Sequence, residues 1–65
     1  MTYEQTKLHA LTTQTRQEYR GLNCLWTCIF VPLGDDKVKE VGLSDGGEIR
    51  EGFTFQLNGN KIDIV

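Results

Sequence analysis

The chain is poor in the groups on which most protein chemistry depends. It has one histidine, His9, and two cysteines, Cys24 and Cys28, whereas a structural zinc site needs four ligands. No D-x-[DN]-x-[DN]-G loop is present, so Asp35, Asp36 and Asp45 read as turn residues and Glu48 and Glu51 as a solvated strand face. Gly42, Gly46, Gly47 and Gly52 show no GxxxxGK[ST] spacing and punctuate hairpins instead. Neither a metal nor a cofactor site is predicted. A catalytic thiol would need a base within hydrogen-bond reach. His9, projecting about 100° from Leu8 around a helix, reads as a solvated helix residue, and the chain is read as a non-enzyme.

It also lacks a long apolar run. Nothing approaches the ~20 apolar residues of a membrane span, and the start, Met-Thr-Tyr-Glu-Gln-Thr-Lys, has no apolar signal-peptide core. An extended chain sets Cys24 and Cys28 about 13 Å apart, too far to bridge, and the expectation is free, buried thiols in a reducing compartment. The protein is expected to be cytoplasmic and to make no membrane contact.

Basic runs are missing too. Residues 1–20 hold three cations against two anions and the remainder four against seven, for a net charge of −2. Non-specific nucleic-acid binding draws on many cations facing phosphates, and no such stripe is present. Trp26, Phe30, Phe53 and Phe55 are enough aromatics for a base-stacking platform, but they lie on strands of net negative charge and read as core.

What the chain does have is one strongly β-favouring run, Leu22 to Val31. Alternation puts Cys24, Trp26, Cys28 and Phe30 on one face and Leu25, Ile29 and Val31 on the other. Both faces are apolar. Such a strand is covered on both sides, or one side awaits a partner.

Around it the chain divides simply. Thr2 and Gln5 form a capping-box pattern, followed by a helix over about 3–19, with Leu8, Leu11, Thr15 and Tyr19 on its inner stripe and Gly21 as its stop. Strands are expected over about 22–31, 37–43, 48–57 and 61–65. The turns between them fall at Pro32–Asp36, Ser44–Gly47 and Asn58–Gly59. The third strand puts Ile49, Glu51, Phe53, Phe55 and Leu57 on one face, with Gly52 marking a bulge that turns Glu51 outward. Residues 1–65 thus read as a single small α+β domain, one N-terminal helix packed on a four-stranded antiparallel sheet. The αββββ meander is strongly twisted or partly closed.

In that meander the most apolar strand lies on an edge, which is an aggregation hazard. Pairing of strand 22–31 with strand 61–65 removes the hazard; so does pairing with a second chain, and a homodimer through strand 22–31 is expected. The functional expectation is a non-enzymatic protein–protein interaction module, a small regulator or accessory factor acting on another protein. Trp26, Tyr3, Phe30 and Tyr19 are its candidate contact surface. The alternatives are a nucleic-acid binder using Lys7, Arg16 and Arg20 on the helix, and a structural subunit of a homo-oligomeric assembly.

Overall fold

A hydroxyl starts the helix. In the computed structural model, which describes residues 1–65, the Thr2 side chain accepts from the Gln5 backbone N–H, and the Gln5 side chain accepts from that of Thr2. This is the predicted capping box, and helix α1 (Tyr3–Thr13) follows it.

The helix ends six residues earlier than its sequence pattern implied. The hydroxyls of Thr12 and Thr13 donate back to the Leu8 and His9 carbonyls, a competition that weakens helix continuation. Gln14 then takes the left-handed conformation, with φ 52° and ψ 45°. Its side-chain amide donates to the carbonyls of Leu11 and Lys37 and accepts from the Gly34 backbone N–H. The stop is therefore set by Gln14 clasping a turn 20 residues away, and Gly21 has no part in it.

The residues released from the helix form a strand, β1 (Gln17–Tyr19). Strands β2 (Trp26–Gly34), β3 (Lys37–Ser44), β4 (Ile49–Asn58) and β5 (Lys61–Ile64) follow, and the sheet order is β1-β2-β3-β4-β5, antiparallel throughout. The class is α+β as expected, with five strands instead of four and an open sheet. The apolar strand begins at Trp26, and Leu22–Leu25 lie in the loop before it. Its outer side is partly paired within the chain: Gln17, Glu18 and Tyr19 pair with Phe30, Ile29 and Cys28, while strand 61–65 pairs with β4 at the far edge.

Three short reversals make the meander. Asp35 and Asp36 link β2 to β3 with φ of 52° and 58°, a left-handed pair that suits a twist-matched hairpin and that aspartate tolerates. Between β3 and β4, Ser44 caps its own turn, its hydroxyl accepting from the Glu48 backbone N–H. Gly59, with φ 65°, and Asn60 link β4 to β5, while Asn58 stays paired with Lys61.

The bulge at Gly52 is present and reaches further than expected. Lys39 pairs with Thr54 but Val41 with Glu51, so β4 carries one extra residue there. A side chain at Gly52 would come within 3.0 Å of the Glu40 carbonyl, which explains the glycine. One extra residue reverses the faces of everything before it. Ile49 and Glu51 consequently lie on the opposite face from Phe55, and Arg50 moves to the helix side.

The core sits between α1 and one face of the sheet: Ala10, Leu11, Phe30, Val38 and Phe55, flanked by Tyr3, Tyr19, Cys28, Leu57 and Ile62. The helix buries its Thr6, Lys7, Ala10 and Leu11 side. Leu8, assigned to the inner stripe, is exposed, and so is Phe53. An 11-residue helix is about 16 Å long, against a molecular long axis of 36 Å, so it covers only part of one sheet face. No helix is long and apolar enough to cross a membrane.

Candidate interaction surface

Beside the helix lies a half-buried polar cluster. The Tyr3 ring packs against Phe30 and Tyr19, with centroids 5.5 and 6.0 Å away, and its hydroxyl donates to the Glu40 carboxylate. Burial, then that hydrogen bond and the carboxylate charge, push the Tyr3 phenol well above its ordinary value. Burial, then the charge and hydrogen bond of Glu40, raise the Cys28 thiol as well. A thiol held protonated is a poor nucleophile. Lys7 flanks the cluster from the helix, its ammonium 4.4 Å from the Phe55 ring centroid and 3.2 Å from Glu4.

Both shifted acids are neutral when protonated, and both have folded values raised above the unfolded ones. Their contribution to stability is complete below the ordinary thiol and phenol values of 9.0 and 10.0 and is lost as the pH rises through the folded values. The urea midpoint should therefore fall between about pH 8 and about pH 11, and a Tyr3→Phe, Cys28→Ala double variant should show a shallower fall. Equal slopes for the two proteins would contradict the assignment.

The sequence-derived surface residues separate here. Phe30 is fully buried and cannot meet a partner. Tyr3 and Tyr19 are half-buried against the core. Trp26 alone among the four lies beyond the packed residues. Its indole extends over Gly42, where a Cβ would sit 3.3 Å from the ring, and the Arg50 guanidinium stacks on it at 4.5 Å. The missed member is Arg50, visible only once the bulge sets its face.

The cations of the nucleic-acid alternative are all engaged. Lys7 is buried over aromatic rings. Arg16 pairs with Glu18 at 2.5 Å, and Arg20 grips both oxygens of Asp45 while donating to the Cys24 carbonyl. The Asp45 bond raises the Arg20 pKa further. Cys24, expected to be buried, is exposed, and both cysteines are free. His9 lines an open groove of about 350 Å³ with Met1, Gln5, Leu8 and Thr12, on the side of α1 turned away from the sheet.

The largest uncovered feature is the other face of the sheet. Register and alternation place Ile29 beside Val41, Leu43 beside Ile49, and Val31 beside Lys39 there. The molecule's one helix lies on the opposite side, so nothing packs over these residues. Ile49 is 70% exposed, as is Leu25 just before β2. Ile29 is buried and Val31 and Val41 are partly buried, so Leu43 and Ile49 are the more open part of this face. The second apolar face of the 22–31 run is thus the one without a cover, and Leu43 and Ile49 extend it across β3 and β4. Charged residues surround it: Glu18 and Glu51 end the Ile29–Val41 row, and Lys39, paired with Glu51 at 3.7 Å, stands in the next.

Compared with protein-family models, curated proteins and solved structures, the chain matches none of them.

Proposed function

We propose that the protein is a non-enzymatic protein–protein interaction module, a small regulator or accessory factor, and that the uncovered sheet face is its working surface. The observation that carries this reading is the apolar patch of Ile29, Val31, Val41, Leu43 and Ile49 with no element over it. A contiguous apolar patch rimmed by charge is what protein contacts use. The Tyr3–Glu40–Cys28 cluster supports a non-catalytic reading, because its thiol is held protonated. Engagement of Lys7, Arg16 and Arg20 weakens the nucleic-acid alternative.

The test is capture by the tagged chain from a lysate of its source cells, in the presence of nuclease. A protein partner retained by the wild type should be lost on Ile49→Lys or Leu43→Lys, since a buried unpaired ammonium opposes docking. Retention by both variants would overturn the choice of surface. Capture that disappears with nuclease would overturn the protein-binding reading itself.

A further inference from the structure

We infer that the occupant of the uncovered face is a second copy of this chain, packed sheet on sheet. The inference rests on the reading of that face as a protein contact and names its partner.

Charge is the first argument. Alternation puts Arg16, Arg20, Lys37, Lys39 and Lys61 on this face with Glu18, Glu51 and Asp63, five cations against three anions, and Asp45 pairs with Arg20 at its end. A partner selected by charge would call for a face of one sign. This one carries both signs in adjacent rows: Glu18 and Glu51 flank Ile29 and Val41, and Arg16 and Lys39 flank Val31. A two-fold axis in the plane of the contact lays carboxylates of one copy over cations of the other. Self-complementarity of this kind is what an isologous contact requires.

Area is the second. Four strands at ~4.8 Å spacing and about eight residues at ~3.3 Å offer roughly 500 Å² on each copy. Two copies together reach about 1,000 Å², the lower end of specific interfaces. The need for it is visible in the fold, where only 8 of 65 residues are buried; small domains commonly gain stability by self-association. The product is a β-sandwich with a helix on each outer side, its two sheets about 10 Å apart. The groups on Trp26 and in the Tyr3 cluster stay on the outside of it.

Sedimentation equilibrium of the purified chain in reducing buffer tests this. The mass should rise with concentration toward twice 7.4 kDa, and Ile49→Lys should raise the dissociation constant at least about tenfold. Ile49 makes little contact within its own chain, so a far-UV spectrum like that of the wild type is expected of the variant. Ile64→Lys, an exposed change on the helix side of β5, should leave the dimer intact. A wild-type mass of 7.4 kDa at about 500 µM, near the weak limit of such contacts, overturns self-association. If lysate capture still depends on Ile49 in that case, the face remains a docking surface for a different protein. A dimer indifferent to Ile49→Lys and Leu43→Lys overturns the assignment of the face.

Discussion

Phe30→Ala should remove about 3–5 kcal/mol of stability, the range seen when a buried aromatic is truncated in a packed core. Phe30 is completely buried, at the point where the helix meets the sheet, among Tyr3, Ala10, Leu11, Val38 and Phe55. At roughly 0.05–0.15 kcal/mol per residue, a domain of this length has only about 3–10 kcal/mol in total. The variant should therefore be largely unfolded or show a sharply lowered urea midpoint, measured at the same protein concentration as the wild type. The cavity has little means of closing, since Phe30 is held in register on both sides by Gln17 and Glu40. A loss below about 1 kcal/mol would mean that the helix and sheet are not packed as described.

Leu11→Ala should cost about 2–5 kcal/mol, whereas Leu8→Ala should stay within about 0.5 kcal/mol of the wild type. The two leucines are three positions apart on the same helix, yet Leu11 is 0% exposed and Leu8 is 44% exposed. An 11-residue helix is too short to persist in water by itself, so its order depends on the side chains that dock it. Ala10 adds little volume, and Lys7 contributes its ammonium to the Phe55 and Tyr3 rings, which leaves Leu11 as the main anchor. Loss of helix amide protection in the Leu11 variant alone is the expected observation in hydrogen exchange. Similar costs at both positions would show that the helix is rotated by about one residue from the orientation described.

Those two leucines show where periodicity was insufficient. Leu8 and Leu11 lie close enough on a helical wheel to share a stripe, and the sequence offers no larger apolar residue to choose between them. The selection was made by Tyr3, Thr6, Lys7 and Gln14, mostly polar residues that follow the buried side at helical spacing. A lysine whose stem and ammonium pack on aromatic rings does not look apolar in a sequence. The helix end was hidden for a similar reason: Gln14 stops it through hydrogen bonds to Lys37 and Gly34, contacts that exist only after the sheet has formed.

The candidate surface was legible in part. The two-faced apolar run signalled either a double cover or a face awaiting a partner, and in the structure one of its faces has no element over it. Leu43 and Ile49 were not assigned to that face, because the bulge at Gly52 was taken to turn out Glu51 alone. An inserted residue shifts every position on its far side, and so Ile49 went with Glu51 while Arg50 came to rest on Trp26.

By itself the sequence determined the class, the capping box, the three hairpin reversals, the bulge at Gly52 and the run that would dominate the sheet. Each of these is a local matter of backbone φ, hydrogen-bond donors at a helix end, or alternation along one strand. Only the tertiary structure decided that the helix stops at Gln14, that Gln17–Tyr19 become the strand guarding the edge of β2, and that Leu11 and Phe30 meet in the core. Those outcomes depend on contacts between residues far apart in the chain, where a weak local preference yields to burial.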